Sequence, residues 1–258
     1  MLKKILRFYV RPLFKNYVYT VRNGIAKGLK RKGGLGFVPF IKETEEVKFL
    51  KSLDLSGKKV YDVGGYEGVV TIFFANASGE HGKVITFEPN PENYLKILDN
   101  VKLNMFMNVD VRQIALGEKA GEATLAFQPS GFSSGSIQDD IKQQIVKRKG
   151  VKTIQVPIDT LDHQVENNKL SDPDFVKIDV EGLEMNVLLG MSNIMKRKKP
   201  TLFIEIHGAD VQKKIDNVRN IVSYLIKNKY SIYHVESKTS NITSKNAEIA
   251  KEGHLFCT

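Results

Sequence analysis

Residues 62–68 read DVGGYEG, and this short segment decides the fold of the chain. It follows an apolar, strand-like pair, Val60-Tyr61, and precedes residues 69–75, VVTIFFA, which we interpret as the start of a helix. A strand that ends in an acidic residue and turns through glycines into a helix is typical of a loop that holds a nucleotide-containing ligand. Glycine permits the tight turn and lets the backbone approach the ligand closely.

The spacing of this loop narrows the choice of ligand. It is Asp-x-Gly-x-x-x-Gly, whereas dinucleotide sites carry Gly-x-Gly-x-x-Gly. An acidic residue before the loop suits a positively charged ligand such as S-adenosylmethionine. Glu88 ends the next strand-like run and lies 24 residues beyond Gly64, near the separation at which a carboxylate reaches ribose hydroxyls. The alternative is an ordinary strand-to-helix turn with a solvated Glu88. The following Pro89-Asn90-Pro91, which ends a strand and allows a helix to begin, favours the cofactor loop.

Five segments in this order resemble the FkbM family of class I S-adenosylmethionine-dependent methyltransferases. They are residues 60–68, 84–90, 114–117 (IALG), 175–184 (FVKIDVEGLE) and 201–208 (TLFIEIHG). The Lys-Ile-Asp-Val-Glu-Gly-x-Glu run is the most specific of them, whereas the glycine loop is shared by the whole superfamily. The chain departs from the pattern at Gly65 and Tyr66, where the family often has Ala-Asn, and residues 1–40 match no pattern of the family.

The resemblance implies a fold and a cofactor site. The fold is a Rossmann-like α/β sheet of seven strands, mostly parallel, that a terminal antiparallel hairpin closes. The loop would hold the methionine part of S-adenosylmethionine, Glu88 would bind the ribose hydroxyls, and the backbone around Ala115 would lie along the adenine. The implied cofactor-binding residues are Asp62, Gly64, Gly65, Tyr66, Gly68, Glu88, Pro89, Asn90 and Ala115.

The hydrophobic pattern independently predicts an α/β fold, because strand-like and helix-like segments alternate from residue 58 onward. We place strands at 59–63, 83–88, 109–115, 174–179, 201–206, 230–235 and 253–257. We place helices near 68–76, 91–103, 183–190 and 212–228. An insertion near 121–170 interrupts the alternation with a strand at 123–127, a helix at 139–148, a strand at 152–158 and a short helix at 160–167.

Two residues that follow strands are the candidates for catalysis. Ligands of open α/β sheets bind beyond the carboxyl ends of the strands, and methyl transfer to a hydroxyl needs a base. Asp179 would lie nearest the methyl group, and His207, which titrates in a useful range, would accept the proton. Alternatively, Asp179 caps the helix near Leu183 and His207 is an ordinary loop residue. Asp179 and Glu205 suit a divalent cation, but no third ligand has a clear spacing, so we predict no metal.

The charge of the chain is concentrated at its start. Residues 1–32 hold ten of the 39 basic side chains and no acidic one, so residues 33–258 carry 29 of each sign. Five basic residues form one stripe at helical spacing, and five apolar residues form the opposite stripe. The basic stripe is Lys4, Arg7, Arg11, Lys15 and Arg22, and the apolar stripe is Leu2, Leu6, Tyr9, Leu13 and Tyr17. We therefore predict an N-terminal arm (residues 1–40), formed by a basic amphipathic helix with a kink at Pro12, before a methyltransferase domain at 41–258.

The arm leaves three kinds of partner open. A basic amphipathic helix suits an anionic membrane surface, which we predict as the partner of residues 1–32. The apolar stripe could instead pack on the body or on a second subunit. Binding of nucleic acid is less favoured, because the rest of the chain offers no net positive surface. The sequence does not specify an oligomeric state.

The resemblance to the FkbM family implies an S-adenosylmethionine-dependent methyltransferase that methylates a hydroxyl on a sugar or on a glycan- or glycolipid-type metabolite. An NAD-dependent oxidoreductase is disfavoured by the missing dinucleotide spacing and by the absence of a Tyr-x-x-x-Lys pair, and a nucleic-acid-binding protein of the same fold is a further alternative. The only cysteine, Cys257, excludes an intrachain disulfide. No apolar run approaches the roughly 20 residues that span a bilayer. We expect a cytoplasmic protein, peripheral to the membrane if the arm binds there.

Overall fold

A computed structural model of the chain describes residues 14, 16–34, 42–127, 136–147 and 150–258. The helices are α1 (Glu45–Ser52), α2 (Val69–Ser78), α3 (Pro91–Leu103), α4 (Asp139–Val146), α5 (Leu161–Asn167), α6 (Glu184–Leu189), α7 (Ser192–Arg197) and α8 (Val211–Lys227). The strands before the insertion are β1 (Val18–Thr20), β2 (Lys30–Lys32), β3 (Lys59–Val63), β4 (Lys83–Phe87), β5 (Val109–Arg112) and β6 (Ala115–Leu116). The remaining strands are β7 (Gly121–Phe127), β8 (Lys152–Asp159), β9 (Phe175–Ile178), β10 (Thr201–Glu205), β11 (Ile232–His234) and β12 (His254–Cys257).

A seven-stranded sheet in the order β11-β12-β10-β9-β3-β4-β5 forms the centre of the fold. Strands β10, β9, β3, β4 and β5 run parallel to one another, and β12 is antiparallel to both β10 and β11. The predicted Rossmann-like sheet with its terminal antiparallel hairpin is therefore confirmed. Val63 is level with both Phe87 and Ile178. The carboxyl ends of β3, β4 and β9 thus meet at one edge, where the strand order reverses.

Helices cover both faces of this sheet, which explains why its inner strands are almost wholly apolar. On one face Val176 and Ile178 of β9 pack with apolar residues of α6, α7 and α8. On the other face Phe175 of β9 packs with Leu50 of α1 and Phe74 of α2. Alternate residues of β9 thus enter opposite layers of the core, as the pleat of a strand requires.

The insertion forms a second sheet, and this corrects one predicted strand. The segment predicted as one strand at 109–115 is divided into β5 in the main sheet and β6 in a three-stranded sheet of order β6-β8-β7. Because β5 lies at the edge of the main sheet, the chain can leave it after Arg112 and pair Ala115 in parallel with Ile158. The other predicted elements of the insertion correspond to β7, α4, β8 and α5.

The described part of the N-terminal arm is a β-hairpin, so the predicted helix is wrong there. Val18 pairs with Lys32 in an antiparallel register. Tyr19 and Val21 are buried with apolar residues of α3, and the Asn104 side chain exchanges two hydrogen bonds of 2.8 Å with the backbone of Lys30. These contacts between the hairpin and α3 give the segment a packed face that a free helix would lack.

The remainder of the arm lies largely outside the described residues. Residues 1–13, 15 and 35–41 belong to this part, and with them Pro12 and most of the basic stripe. The helix over residues 1–13 and the binding of an anionic membrane therefore stay predictions. Within the described part of the chain, no helix is long and apolar enough to cross a membrane.

Candidate active site

The glycine loop joins β3 to α2 and lies against the residue that follows β9. Gly64 has φ +86°, and a Cβ atom at this position would lie 1.8 Å from the carbonyl oxygen of Asp179. The N–H groups of Gly64 and Gly65 both donate to the carbonyl of Phe87, at 2.9 and 3.3 Å. Gly68, with φ +80°, is the N-cap of α2. The loop is thus fixed between the ends of β4 and β9. Only glycine at position 64 allows the loop to approach β9 this closely.

Glu88 follows β4 and is held by the backbone around it. One carboxylate oxygen accepts from the N–H of Tyr66 at 2.8 Å, and the other accepts from the N–H of Asn90 at 2.9 Å. Burial raises the pKa of Glu88 to about 7, against the opposing effect of the hydrogen bonds from Asn90, Tyr66 and Asn93. Asn90 also caps α3, whose first residue is Pro91 as predicted. Glu88 therefore links the glycine loop to the start of α3.

A cavity of about 230 Å³ lies beyond the carboxyl ends of β3, β4, β9 and β10. Six of the predicted cofactor residues and both predicted catalytic residues line it, and so does Glu205, which the sequence suggested with Asp179 as a cation ligand. The six are Gly64, Tyr66, Glu88, Pro89, Asn90 and Ala115, and the two are Asp179 and His207. The structure therefore brings most of the predicted cofactor residues and both predicted catalytic residues to one cavity.

The described residues that line this cavity do not include three of the predicted cofactor residues, Asp62, Gly65 and Gly68. Asp62 is fully buried, and its carboxylate accepts from the hydroxyl of Thr71 at 2.7 Å and lies 3.4 Å from Nζ of Lys177. The ammonium of Lys177 in turn donates to the carbonyl of Gly64 at 3.3 Å. Asp62 thus supports the loop from behind in this structure, and its predicted contact with the ligand stays a prediction.

Lys177 is a site residue that we did not single out from the sequence. It is 4% exposed, within a strand whose other residues are apolar. Its Nζ lies 3.2 Å from Asp179 Oδ2 and 3.4 Å from Asp62 Oδ1. Burial would lower the pKa of Lys177, but the charges of Asp179 and Asp62 raise it above its usual range. A lysine inside an otherwise apolar strand was the signal for this ion pair.

His207 follows β10 and is surrounded by carboxylates. Its Nδ1 lies 2.9 Å from Glu184 Oε1, and its Nε2 lies 3.7 Å from Asp179 Oδ1. Burial lowers the pKa of His207, but the hydrogen bond and charge of Glu184, with the charges of Glu181 and Asp179, outweigh burial and raise it to about 9. The ring therefore carries a proton at neutral pH, which conflicts with the predicted role of His207 as the proton acceptor.

Asp179 is the ionised group on the same wall. Burial would raise the pKa of Asp179, but Lys177 and His207 hold it below its usual range. Asp179 is also separate from the N-terminus of α6, which begins at Glu184 and has Leu183 as its N-cap. The alternative interpretation of Asp179 as a helix cap is therefore wrong, and its carboxylate is available to a molecule in the cavity.

The N-terminal hairpin is fastened to the glycine loop through Glu67, which the sequence did not indicate. Arg31 of β2 forms an ion pair with one carboxylate oxygen of Glu67, and Lys96 of α3 lies 3.0 Å from the other. The side chain of Asn100 donates to the carbonyl of Glu67 at 2.8 Å. The loop is thus held from the outside by the hairpin and α3.

Replacing Arg31 with alanine should lower the free energy of unfolding by about 1–3 kcal/mol, the usual cost of leaving a buried polar group without its partner. Lys96 still pairs with Glu67, which keeps the loss below that of an isolated buried charge. Denaturant unfolding measures the change. Lys32→Ala is the matched control, because its ion pair with Asp99 is exposed and should contribute about 0–1 kcal/mol. Equal losses in the two variants would contradict the role of Arg31.

Comparisons with known proteins match this chain to methyltransferases. The family model described as "Methyltransferase FkbM domain" matches residues 62–232. The hexuronic acid methyltransferase AglP of Haloferax volcanii is 26% identical over 164 residues, 62% of this chain and 62% of that protein. Methyltransferase 1 of Beauveria bassiana is 26% identical over 146 residues, 52% of this chain and 58% of that protein. The chain therefore matches less than two thirds of the length of either relative.

A solved structure shares the fold. The methyltransferase FkbM of Methylobacillus flagellatus superimposes with a TM-score of 0.51 at 17% identity, over 81% of this chain and 45% of that chain. This likeness agrees with the parallel sheet and its terminal hairpin. The segment that the family model matches, residues 62–232, includes the glycine loop, Glu88, Asp179 and His207 and covers more than half of the 258 residues. The chain therefore belongs to the FkbM methyltransferase family.

Proposed function

We propose that this methyltransferase transfers the methyl group of S-adenosylmethionine to a hydroxyl oxygen of a sugar or glycan acceptor. The observation that supports S-adenosylmethionine as the methyl donor is the position of Glu88. This buried carboxylate follows β4 on the cavity wall and accepts a hydrogen bond from the N–H of Tyr66 in the glycine loop. A carboxylate at this place suits the two hydroxyls of a ribose. The loop backbone at Gly64 and Tyr66 lies on the same wall and suits the methionine part.

Support for a sugar acceptor comes from the relative in Haloferax volcanii, whose name states that it methylates a hexuronic acid. The wall of the cavity also carries polar groups that can orient hydroxyls, namely Asp179, Glu181 and Glu205. The family membership argues against the NAD-dependent oxidoreductase. An anionic membrane surface remains the proposed partner of residues 1–32, since docking there would suit a lipid-linked glycan.

Methyl transfer to a hydroxyl then follows an in-line path. The acceptor oxygen attacks the methyl carbon, the carbon–sulfur bond breaks, and its electron pair stays on sulfur to leave S-adenosylhomocysteine. The proton of the hydroxyl passes to a carboxylate, for which Asp179 is our candidate, because it is ionised on the cavity wall. Holding the two reactants in contact supplies much of the rate enhancement, and the base adds to it.

Two measurements test this function. Calorimetric titration should show binding of S-adenosylmethionine and S-adenosylhomocysteine and none of NAD; the reverse result would end the proposal. Incubation with methyl-labelled S-adenosylmethionine and a lysate fractionated into glycans, lipids, RNA and protein then identifies the acceptor. Label in glycans or glycolipids supports a sugar acceptor, whereas label in RNA or protein alone contradicts it.

Binding of S-adenosylhomocysteine should tighten by about tenfold between pH 6 and pH 8, because hydroxyl donors favour the ionised form of Glu88. The pKa of Glu88 in the free protein is about 7, so the proton is largely present at pH 6 and must leave on binding. Affinity therefore rises with pH through this range. Calorimetry in buffers of different ionisation enthalpy measures the released proton.

Glu88→Gln is the control for the pH dependence, since it keeps the size of the side chain and removes the titration. This variant should bind more weakly, and its affinity should lose the part of the pH dependence that Glu88 supplies. An identical pH profile in the wild-type protein and in the variant would show that Glu88 does not contact the ligand.

A further inference from the structure

Three carboxylates at the carboxyl ends of β9 and β10 converge on one imidazole nitrogen. Nε2 of His207 lies 3.6 Å from Glu205 Oε1, 3.7 Å from Asp179 Oδ1 and 3.7 Å from Glu181 Oε2. One ligand atom each from Asp179, Glu205 and His207 lies within 4.8 Å of the others. These contacts are too long for hydrogen bonds. Neighbouring ligands of a divalent cation lie about 3.0–3.4 Å apart when metal–ligand bonds measure about 2.1 Å, so a small inward movement would complete such a site.

The ring of His207 is oriented as in metal-binding histidines. Its Nδ1 bonds to Glu184 Oε1, which also accepts from the N–H of Gly182 at 2.8 Å. The second oxygen of Glu184 accepts from Asn217 at 2.9 Å, and the carboxylate is fully buried. A histidine that donates through one nitrogen to a fixed carboxylate presents the other nitrogen to a metal. Glu184 thus orients Nε2 of His207 toward the three carboxylates.

A second histidine approaches the same cluster from behind Glu205. The side chain of His254 is 8% exposed, and its Nε2 is buried with no hydrogen-bond partner among the described residues. This nitrogen points to Glu205 Oε2 at 3.6 Å, while Nδ1 contacts Glu236 Oε1 at 2.6 Å. Glu205 therefore lies between two imidazoles, each held at Nδ1 by its own glutamate. Nε2 of His254 also lies 3.9 Å from Glu46 Oε1, so this buried nitrogen, like Nε2 of His207, faces carboxylates at distances beyond a hydrogen bond.

The charges in the cluster favour a bound cation. Three carboxylates, those of Asp179, Glu181 and Glu205, face Nε2 of His207, while Lys177 contacts Asp179 and His254 contacts Glu205. Carboxylates that converge on one point repel one another. A cation at the centre of the cluster would offset this repulsion.

We propose that His207, Asp179 and Glu205 form a divalent-cation site, with Glu181 as a fourth ligand. One nitrogen among several carboxylate oxygens suits first-row transition ions such as Mn²⁺ or Zn²⁺ better than Mg²⁺ or Ca²⁺, which prefer oxygen alone. Binding of the cation displaces the proton from Nε2, as is general for metal-binding histidines. The sequence led us to predict no metal, because Asp179 and Glu205 had no third ligand at a clear spacing; the structure places His207 beside them as that third ligand.

The place of the site suggests what else the cation binds. Asp179, Glu205 and His207 all line the same cavity as Glu88 and Gly64 of the glycine loop. A hydroxyl of the acceptor would complete the coordination of the cation there, and this step alone rests on the proposed function. Binding of the cation itself does not depend on the acceptor or on S-adenosylmethionine.

Titration of the full chain with MnCl₂ and, separately, ZnCl₂ after dialysis against a chelator tests the site by calorimetry. We expect one ion per chain. His207→Ala and Glu205→Gln should each remove the binding, and Glu184→Gln should weaken it by about 10–100-fold, as the loss of an orienting carboxylate does. His163→Ala is the control, because this exposed histidine also contacts an aspartate, Asp159, at 2.7 Å. The His163→Ala variant should bind the ion as tightly as the wild type does.

Circular dichroism establishes that each variant is folded, and Glu205→Gln keeps the test valid if His207→Ala fails to fold. The inference is overturned if neither ion binds the wild-type chain or if the folded variants bind as tightly as it does. Titration of the chelator-treated protein with S-adenosylhomocysteine separates the two proposals. If the nucleoside binds and neither ion binds, the metal site alone is contradicted. If an ion binds and the nucleoside does not, the proposed donor alone is contradicted.

Discussion

Replacing Gly64 with alanine should lower the free energy of unfolding by roughly 2–5 kcal/mol and abolish binding of the methyl donor. Two costs add up. A φ of +86° places a side chain in the left-handed region, at about 1–2 kcal/mol. The new Cβ would also lie 1.8 Å from the carbonyl oxygen of Asp179, and overpacking of a rigid interior costs typically 1–3 kcal/mol. The N–H of Asp179 donates to the carbonyl of Val63 at 3.0 Å, so the clash is relieved only by separating β3 from β9.

Gly57→Ala is the matched control for this experiment. Gly57 has φ +68°, and no atom of the described residues lies within 4 Å of a Cβ built there. It therefore carries the backbone strain without the clash. Urea unfolding of both variants, with titration of S-adenosylhomocysteine, isolates the contribution of the close approach. If the two variants lose the same stability and both still bind, the packing of the loop against β9 is not what requires glycine at position 64.

The sheet was predictable because its strands carry their own signals. β3, β4 and β9 are short, mostly apolar segments that a glycine or an acidic residue follows directly, β10 is a similar segment that ends in Glu205, and helices separate most of them. The end of each strand fixed the position of Glu88, Asp179 and His207 without knowledge of the packing. The common edge of parallel strands then brought these residues together, as the rule for open α/β sheets requires.

The N-terminal hairpin was not predictable in the same way. Its strands are three residues long, which is too short for a period of two to outweigh a helical pattern. Its stability comes from contacts distant in sequence, such as the pairing of Lys30 with Asn104, 74 residues away. The basic residues of the arm did not distinguish a helix from a hairpin, since solvated charges fit both structures.

The protonation states of the site residues could not be predicted from the sequence, because they too depend on residues that are distant along the chain. Asp62 and Lys177 are direct partners in the register of β3 and β9, and this pairing explains why Asp62 faces a lysine behind the loop. His207 titrates as it does because of Glu184, which α6 contributes from 23 residues earlier. Sequence spacing identified the residues that could do chemistry, but burial and these neighbours decide which of them holds a proton.

Asp179→Asn should lower kcat by about 10²–10⁴, the usual loss when a general base is removed, with little change in the affinity for S-adenosylhomocysteine. The amide keeps the shape of the side chain but accepts no proton at neutral pH. Lys177 keeps Asp62 as a partner at 3.4 Å, so the ion pair behind the loop survives. Single-turnover rates at saturating S-adenosylmethionine, with the acceptor that the labelling experiment identifies, measure the chemical step; both proteins are treated with chelator, so that the loss of a cation ligand does not contribute.

Asp172→Asn provides the comparison, because Asp172 is also paired with a basic side chain, Arg197 at 2.6 Å, but lies outside the cavity. Its turnover should equal that of the wild type. The pH dependence adds an independent readout. Because Lys177 and His207 hold the pKa of Asp179 below its usual range, activity that depends on its ionised form should persist at acidic pH until this carboxylate gains a proton. Full turnover in Asp179→Asn would show that the proton leaves the acceptor by another route, and the carboxylate of Glu205 on the same wall would be the next group to replace.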